Sequence, residues 1–495
     1  MIKIKILFFL FTAFIILRAQ EHKSIHQIDQ EKYEPIIIEK MKNIPKRNQA
    51  EPIISLNKYS AKNLSKSVFG YLPDWEYLEN AHQNLNYDLL SHIAVFDFEV
   101  SKTGAISDPP NWPWNDVINS AHETGTKVIM VIVNFSATDI HDILTSSASK
   151  WIFMNSVKSK IKTYSLDGVN IDFEGLNTSD RGTVVNSFMQ ELTDTVHAIS
   201  SDLEVSFAAP AVNWGGWNLS GLAQSCDYLF VMGYDFNGSW STTTGPTAPL
   251  TGGSYNLTNT LNVQYQTVTS FYPEKIILGV PYYGPHWQTS SAQEGSSILS
   301  FVESKRFRDA QPLSENYGIK WSPTYKNSWF SFVESSKNHQ VWFDSDSSLS
   351  LKYDLAISKK LKGVGMWALG YDGTRPELWN LLARKFVIPV SVNENINLPD
   401  KLILEQNYPN PFNPVTIINY SIPNVASNFG SSVILKIYDV IGNEVTTLIN
   451  KVQSPGNYEV SFDASSVSRR ISSGVYYYKL TYLENSIIKK MLFLK

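Results

Sequence analysis

Short apolar runs recur from Ser67 onward, each separated from the next by a longer stretch of mixed polarity. Most of the runs are continuous rather than alternating and are rich in Val, Ile and Phe, as expected for parallel strands buried on both faces. The intervals mostly leave room for a helix, for example at 151–164 and 184–199. The eight runs are residues 68–72, 92–98, 127–133, 168–174, 204–210, 228–234, 275–281 and 363–369.

Eight strand-then-helix units within residues 66–388 predict an α/β fold of the (β/α)8 TIM barrel type. An open doubly wound sheet is the structural alternative, but no Gly-rich phosphate loop follows the first run. The interval 285–355 is too long for one crossover, and part of it alternates and turns like a small antiparallel sheet. We therefore expect a small α+β insertion between strands seven and eight.

The N-terminal region has the pattern of an exported protein. Lys3 and Lys5 precede an apolar run from Ile6 to Leu17, which predicts a signal peptide over 1–19. The run is too short to cross a bilayer, which takes about 20 residues, and no later segment is apolar enough for a membrane helix. A polar leader or linker follows, and we assign it no structure beyond an apolar patch that could dock on the next domain. The leader covers residues 20–65 and the patch residues 35–38.

The composition changes again after the barrel. Residues 389–400 are polar and read as a linker. Residues 401–495 consist of short alternating segments separated by Gly, Pro, Asn and Ser turns, which predicts a small all-β sandwich.

Charge and cysteine content exclude several classes of protein. The net charge is −4 with no long basic block, which argues against a nucleic-acid partner. Cys226 is the single cysteine, so the chain can form neither an internal disulfide nor a Cys-based zinc site. Several of the 13 Trp residues stand beside Gly, Pro or Asn. This placement indicates exposed rings of the kind that stack on sugars, while the others are ordinary core and turn residues.

A row of polar side chains marks the fourth run, in the segment LDGVNIDFEG. Strand geometry puts Asn170, Asp172 and Glu174 on one face. Active residues gather at the C-terminal ends of barrel strands, and Glu174 is the last of the row. A buried carboxylate held in a salt bridge is the structural alternative, because unpaired polar groups are costly inside a protein.

The row also suits acid catalysis of glycoside cleavage. A glycosidase needs a protonated carboxylic acid, and the negative charge of Asp172 would raise the pKa of Glu174. Most glycosidases place their second carboxylate on another strand as nucleophile or base. Two carboxylates in succession on one strand depart from this arrangement. They favour substrate-assisted catalysis instead.

The segment resembles the signature of glycoside hydrolase family 18, the chitinase family, whose fourth strand reads D-G-x-D-x-D-x-E with Asn tolerated at some Asp positions. Further motifs in the expected order support the resemblance across residues 66–388. Met232 to Asp235 resembles M-x-Y-D, Trp367 resembles the tryptophan of the barrel floor, and residues 207–210 resemble the fifth strand. Matching positions are Asp167, Gly168, Asn170, Asp172 and Glu174 in the signature and Gly70, Tyr71 and Trp75 near the first strand.

The resemblance implies a catalytic set and a sugar-binding set. Glu174 would protonate the glycosidic oxygen and later act as base, while Asp172 would orient the substrate's own 2-acetamido group. Tyr234 would donate a hydrogen bond to that group, and Asp235 would contact the sugar. Asn170 completes the catalytic set; Trp367, Met232, Tyr71 and Trp75 join Asp235 as substrate-binding residues. No metal ion or organic cofactor is implied.

Two positions depart from the family pattern. Asn170 stands where Asp is commonest, so Asp172 loses a like-charged neighbour and a shifted pH optimum is expected. The S-x-G-G motif of the third strand is replaced by Val-Ile-Val-Asn at 131–134, although Asn134 or Ser136 could substitute for it. These departures imply a more distant branch, and chitin, bacterial cell-wall glycans and glycoprotein glycans all stay open as substrates.

The tail resembles the C-terminal sorting domain of the type IX secretion system. The segment YPNPFNP at 408–414 carries the resemblance, together with the strand-like segments that follow. A fibronectin-like or carbohydrate-binding module is the alternative, but residues 401–495 contain no Trp for a sugar-binding face. The resemblance implies partnership with the secretion machinery, an extracellular or cell-surface location and removal of the tail.

Three functions are consistent with these features. The first is a secreted retaining hydrolase of β-1,4-linked glycans that contain N-acetylglucosamine. The second is a non-catalytic glycan-binding lectin on the same barrel, which the presence of Glu174 with Asp172 and Tyr234 disfavours. The third, a surface adhesion protein, leaves the acid row unexplained.

Overall fold

The computed structural model describes most of the chain. The expected signal peptide at 1–19 and the expected linker at 389–400 lie outside the described residues. The described ranges are 22–43, 52–57, 62–388, 401–423, 431–453, 455–467, 471–483 and 485–495.

The eight apolar runs form one closed barrel of parallel strands, which confirms the predicted fold class. Their residues are almost all buried because helices cover the outside and side chains fill the inside. The strands are β1 (Ser67–Pro73), β2 (His92–Glu99), β3 (Lys127–Asn134), β4 (Gly168–Phe173), β5 (Glu204–Pro210), β6 (Tyr228–Met232), β7 (Ile276–Pro281) and β13 (Gly363–Trp367). Pairing of β1 with both β2 and β13 closes the barrel.

The helices of the outer ring follow the predicted intervals. Ser136 and Ser146 cap two of them, each side chain accepting a hydrogen bond from a backbone N–H in the first turn. With the leader helix α1 and the inserted helix α10, the set is α1 (Ile25–Asn43), α2 (Asp74–Leu78), α3 (Asn115–Glu123), α4 (Ala137–Thr145), α5 (Ser147–Tyr164), α6 (Thr183–His197), α7 (Leu219–Ser225), α8 (Leu257–Asn259), α9 (Gln266–Phe271), α10 (Phe307–Tyr317), α11 (Asp346–Ser358) and α12 (Glu377–Phe386).

Two glycines make room for an aromatic layer in the barrel interior. A Cβ atom at Gly279 or Gly365 would lie 2.5 or 2.4 Å from the ring of Phe230. Phe230 in turn packs edge-on against Tyr71, with ring centroids 4.8 Å apart. This layer supports the polar groups at the C-terminal ends of the strands from below.

A five-stranded antiparallel sheet and α10 lie between β7 and β13. The strands are β8 (Tyr283–Thr289), β9 (Ile298–Arg306), β10 (Lys320–Ser322), β11 (Asn327–Glu334) and β12 (Lys337–Phe343), in the order β10-β11-β12-β8-β9. The expected interval of 285–355 needs correction, because residues 346–358 form α11 of the outer ring. The apolar residues of α11 pack on the barrel, so they belong to its helix layer.

The C-terminal region is all β, as predicted. It contains a three-stranded sheet in the order β14-β15-β18 and a four-stranded sheet in the order β17-β16-β19-β20. One cluster of buried side chains from both sheets, including Ile418, Leu435 and Tyr478, forms its core. The strands are β14 (Ile403–Leu404), β15 (Val415–Ile422), β16 (Ser431–Tyr438), β17 (Glu444–Gln453), β18 (Gly456–Asp463), β19 (Gly474–Tyr482) and β20 (Asn485–Phe493).

The leader contains a helix to which the sequence assigned no structure. Helix α1 lies against the C-terminal mouth of the barrel, with Ile25 and Ile37 buried in the barrel's core cluster. Within the predicted apolar patch only Ile37 is buried, whereas Ile36 and Ile38 are 45% and 54% exposed. The patch therefore docks through one side chain.

Two further features concern membrane-spanning helices and the single cysteine. Among the described residues, no helix combines the length and apolarity needed to cross a membrane. Cys226 is buried and free, and burial raises the pKa of its thiol. A buried neutral thiol behaves as a small apolar side chain rather than as a nucleophile.

Candidate active site

The polar row of β4 points into the barrel at its C-terminal end. Asn170 and Asp172 are fully buried, and Glu174 follows directly after the strand. The backbone N–H of Glu174 donates to the carbonyl oxygen of Asn134 at 3.1 Å, which extends the pairing of β3 and β4 by one residue. The predicted alternation thus holds through the end of the strand.

Asn170 is held by its neighbours on both sides. Its Oδ1 accepts a hydrogen bond from the Tyr71 hydroxyl at 2.9 Å, and its Nδ2 donates to the Ser206 hydroxyl at 2.8 Å. Because these two bonds fix the amide orientation, Asn170 presents no charge to the site. Sequence reasoning did not identify Ser206, which lies one strand away on β5.

Asp172 and Glu174 both contact the leader. One carboxylate oxygen of Asp172 lies 2.7 Å from Nδ1 of His26, and the other is buried with no hydrogen-bond partner among the described residues. The Ser24 hydroxyl donates to Oε1 of Glu174 at 2.7 Å, and Nδ1 of His26 lies 3.4 Å from the same oxygen.

The surroundings of Glu174 favour its protonated form. Burial raises the pKa of Glu174 most, and the charge of Asp172 raises it further. His26 and the Ser24 hydrogen bond act in the opposite direction, and the net result is a pKa of about 8. The carboxyl group therefore carries a proton at neutral pH, which is the state that a general acid needs.

Tyr234 and Asp235 follow the end of β6. The Tyr234 hydroxyl lies 2.8 Å from Nε2 of His26. Asp235 has a left-handed backbone (φ 61°), and its carboxylate accepts hydrogen bonds from the Tyr283 hydroxyl at 2.5 Å and the Ile25 N–H at 2.7 Å. Burial raises the pKa of Asp235, and these hydrogen bonds oppose the rise.

Trp367 lies at the end of β13 and forms the floor of the site. The imidazole of His26 stacks on it, with ring centroids 3.8 Å apart and the planes inclined by 26°. The indole Nε1 donates to Asp29 at 3.2 Å. Trp75, on α2, stands edge-on to Trp367 at 6.2 Å and stacks on Tyr33 of the leader at 5.1 Å.

The nine residues singled out from sequence therefore lie at one end of the barrel. Seven of them contact either the leader or Asn170 directly, and Met232 lies at the edge of the group. The two candidate substitutes for the missing third-strand motif have local roles instead. Asn134 donates to the Val100 carbonyl oxygen and accepts from the Ser136 N–H, while Ser136 caps α4.

A cleft of about 630 Å³ continues from Glu174 along the mouth of the barrel. Trp214, Trp217, Trp240 and Tyr255 line it, and Trp214 is 48% exposed. None of these four was singled out by position, although tryptophans beside glycine were expected to be exposed. The segment WGGW at 214–217 carried that signal.

Asp97 is a further acidic group that the sequence reasoning missed. It is buried on β2, and burial, followed by the charges of Asp74, Glu99 and Asp172, raises its pKa. Gln30 of the leader donates to Asp97 at 2.7 Å. Strict alternation would place Asp97 on the face opposite Phe96. The pairing of β2 with β3 shifts between Val95 and Phe98, however, and both Phe96 and Asp97 contact the leader.

One set of side chains has the spacing of a cation site. The donor atoms of His26, Asp172 and Glu174 lie within 4.8 Å of one another. Two of these residues belong to the acid row and one belongs to the leader. In the structure, Nδ1 of His26 instead contacts both carboxylates directly.

A closed (β/α)8 barrel with a carboxylate row at the end of β4 and an aromatic cleft beside it defines a glycoside hydrolase. Residues 67–372 match the family Glycosyl hydrolases family 18, and the chain belongs to this family. Residues 406–493 match a secretion system C-terminal sorting domain, which assigns the all-β region to export from the cell.

Curated relatives of the barrel are distant. The putative sporulation-specific glycosylase YdhD of Bacillus subtilis is 26% identical over 310 residues, which cover 60% of this chain and 69% of that protein. Human di-N-acetylchitobiase is 27% identical over 302 residues, which cover 54% of this chain and 75% of that protein.

The fold is also found in solved structures. A family 18 chitinase from Cycas revoluta, solved in complex with (GlcNAc)3, superimposes with a TM-score of 0.58. The match covers 64% of this chain and 99% of that chain at 18% sequence identity. This likeness shows a shared barrel.

Proposed function

We propose that the chain is a secreted retaining glycoside hydrolase that cleaves β-1,4-linked glycans containing N-acetylglucosamine by substrate-assisted catalysis. The observation that carries this proposal is the convergence of several groups on one ring-sized position. The imidazole of His26 occupies that position, with Asp172 and Tyr234 bonded to its nitrogens. Trp367 stacks under the same ring, and Glu174 lies 3.4 Å from it.

In the first proposed step, Glu174 donates its proton to the glycosidic oxygen as the bond from that oxygen to the anomeric carbon breaks. The bonding electron pair leaves with the protonated oxygen. The carbonyl oxygen of the substrate's own 2-acetamido group bonds to the anomeric carbon and forms a cyclic oxazolinium ion. The raised pKa of Glu174 supports this role, because the group is protonated near neutral pH.

In the second step, the Glu174 carboxylate takes a proton from water, and the water oxygen bonds to the anomeric carbon. The bond to the acetamido oxygen breaks, so two inversions give net retention. Glu174 returns to its protonated form, which is the exchange of acid and base roles seen in retaining enzymes.

Asp172 orients the acetamido group and stabilises its positive charge. The unpaired buried carboxylate oxygen of Asp172 supports this role, because an unsatisfied buried acceptor is costly unless a ligand supplies a donor. Tyr234 donates a hydrogen bond to the acetamido oxygen, and Asp235 accepts one from a sugar hydroxyl. Tyr71 and Asn170 support the row from below, while Trp367, with Trp75 and Met232 beside it, forms the sugar-binding floor.

The aromatic cleft supports a chain of sugars rather than a single unit. Exposed rings at Trp214 and Tyr255, together with the half-buried Trp240, continue from Glu174 and offer flat faces for further residues of the glycan. The name of one relative, di-N-acetylchitobiase, agrees with a substrate containing N-acetylglucosamine, and that of another, a putative glycosylase, agrees with action on glycans. The sorting domain supports type IX export to the cell surface or beyond.

Parallel digestion tests both the activity and the substrate class. The chain and its Glu174→Gln variant are incubated with chitin oligomers, peptidoglycan and a high-mannose glycopeptide, and products are weighed by mass spectrometry. We expect new reducing ends with the parent chain only, and a β-anomer as the first product in proton NMR. A matched de-N-acetylated oligomer should resist cleavage; equal cleavage of the two oligomers would refute substrate assistance.

A further inference from the structure

Residues 22–43, the part of the leader that contains α1, occupy the position that the proposed function assigns to the sugar. We infer that the leader is a built-in inhibitor: the uncut chain keeps only the low activity of its open fraction, and full activity follows when the leader is displaced or cut from the barrel. The inference rests on the proposed function for its consequence, but the docking of the leader can be measured separately. The partner of the catalytic cleft is thus a segment of the same chain.

The His26 side chain contacts the site through both ring nitrogens and through one face of the ring. Nδ1 lies 2.7 Å from Asp172, Nε2 lies 2.8 Å from the Tyr234 hydroxyl, and the ring stacks on Trp367. The side chain is completely buried. A sugar ring cannot stack on Trp367 while His26 is in place, because both need the same surface.

The residues flanking His26 bind the other groups of the site. The Ser24 hydroxyl donates to Glu174, and the Ile25 N–H donates to Asp235. One turn further along α1, Asp29 accepts hydrogen bonds from the Trp367 indole at 3.2 Å and the Tyr371 hydroxyl at 2.6 Å. Leader residues thus contact four parts of the proposed site. These are the acid, the pair of groups that orients the acetamide, the carboxylate that binds the sugar, and the tryptophan floor.

One face of α1 carries these contacts, except that of Ser24, which precedes the helix. Positions 25, 26, 29, 30, 33 and 37 recur at helical spacing and lie toward the barrel. Arg306 reinforces this face, since its guanidinium lies 4.6 Å from both the Tyr33 and the Tyr371 ring centres. The opposite face carries exposed charges such as Glu39 and Lys42, which pair with each other. This division indicates a helix shaped for docking.

Charge complements shape at the centre of the site. His26 faces the carboxylates of Asp172 and Glu174 from β4 and that of Asp235 from the end of β6, together with the hydroxyls of Tyr71 and Tyr234. Burial alone would lower the pKa of His26, but the carboxylates raise it above its usual value. The carboxylates therefore favour the cationic form of the ring at the position where the proposed reaction develops positive charge.

The chain keeps the leader close to its site. Residues 52–57 attach to the barrel, with the Ile54 N–H donating to Asn119 and its carbonyl oxygen bonded to His122. The docked helix is thereby tethered, and a tethered ligand binds at high effective concentration. Leaders docked in about 99% of molecules would lower kcat/KM about 100-fold, because only the open fraction binds substrate.

The test uses the full chain with a protease recognition sequence placed between Asn43 and Pro52. Cutting at that sequence, followed by size exclusion, removes residues 22–43 of the leader. Residues 52–57 stay attached to the barrel. We expect kcat/KM on a chitin oligomer to rise about 100-fold on cutting. A His26→Ala/Asp29→Ala variant should rise similarly without cutting, while Lys42→Ala, which changes only the exposed pair, should match the parent.

A second readout does not depend on catalysis. A synthetic peptide of residues 22–43 is titrated into the cut protein by calorimetry, and we expect it to bind and to be displaced by a chitin oligomer in the Glu174→Gln background. Equal kcat/KM before and after cutting would overturn the inference and leave the proposed function intact. Peptide binding without hydrolysis by the cut protein would refute the proposed function, and absence of peptide binding would refute docking.

Discussion

The hydroxyl of Tyr71 donates a hydrogen bond to Oδ1 of Asn170 at 2.9 Å, across the barrel interior from β1 to β4. This contact explains how the chain accommodates Asn where its family commonly has Asp. The amide accepts from Tyr71 and donates to Ser206, so both of its polar atoms are satisfied without a charge. The acid row then contains two carboxyl groups, those of Asp172 and Glu174, and no third one at position 170.

Changing Asn170 to Asp should shift the pH dependence of catalysis. A second carboxylate beside Asp172 adds like charge near Glu174 and raises the pKa of Glu174. Because Glu174 must be protonated, activity is present below that pKa and lost above it. The alkaline midpoint of kcat/KM should therefore move up by about one pH unit.

Asn170→Ala provides the matched control. This variant leaves the Tyr71 hydroxyl without its acceptor and should lower the free energy of unfolding by about 1–3 kcal/mol. Because it adds no charge, it should leave the alkaline midpoint of kcat/KM unchanged. Identical midpoints for the Asp variant and the parent chain would contradict the electrostatic argument.

Removal of the leader should move the same midpoint in the other direction. With the leader bound, burial and Asp172 hold the pKa of Glu174 at about 8. Cutting the leader admits water, and the relief of burial outweighs the lost contacts of His26 and Ser24, so the pKa falls. We expect kcat/KM of the cut protein to be retained at acidic and neutral pH and lost with a midpoint below 8. A midpoint at or above 8 would count against this assignment.

Glu174→Gln should lower kcat on N-acetylglucosamine oligomers by about 10²–10⁴-fold, the usual contribution of general acid–base catalysis. Gln is nearly isosteric and keeps a carbonyl oxygen that accepts hydrogen bonds, so oligomer binding measured by calorimetry on the cut protein should persist. Near-normal turnover would rule out Glu174 as the acid.

Lys352 should anchor the inserted sheet to the barrel. Its ammonium group is completely buried on α11, where it pairs with Asp344 and donates to Asn327 at 3.0 Å. Lys352→Met would leave Asp344 buried without its partner, and we expect a loss of about 3–5 kcal/mol in chemical denaturation.

The Lys385–Asp354 pair is the matched control, with side chains 20% and 54% exposed. Lys385→Met should cost about 0–1 kcal/mol, as exposed pairs usually do. Equal losses in the two variants would show that the buried pair contributes no more than a surface contact.

Much of the fold could be read from the sequence because its strands are short, apolar and buried on both faces. The row Asn170, Asp172 and Glu174 was visible because side chains alternate along a strand. The boundary of the insertion was misjudged because the apolar residues of α11 follow those of β12 after a short interval.

The leader could not be read in the same way. Its buried face is built from His26, Asp29 and Gln30, which resemble a solvated surface until their partners on the barrel are known. Pro35 within α1 also argues against a helix, since proline removes a backbone donor. Docking here depends on contacts between residues 67 to 342 positions apart, which no local sequence pattern can reveal.

The low reactivity of Cys226 allows movement of the leader to be measured by labelling cysteines introduced elsewhere. Its thiol is buried, and burial raises its pKa, so maleimide dyes should react with it slowly. A cysteine introduced at the exposed position of Lys42 would then be the principal site of labelling, and a second at a surface position of the barrel would complete a donor–acceptor pair. Single molecules carrying that pair would report how often the helix lifts from the cleft and how long it stays away.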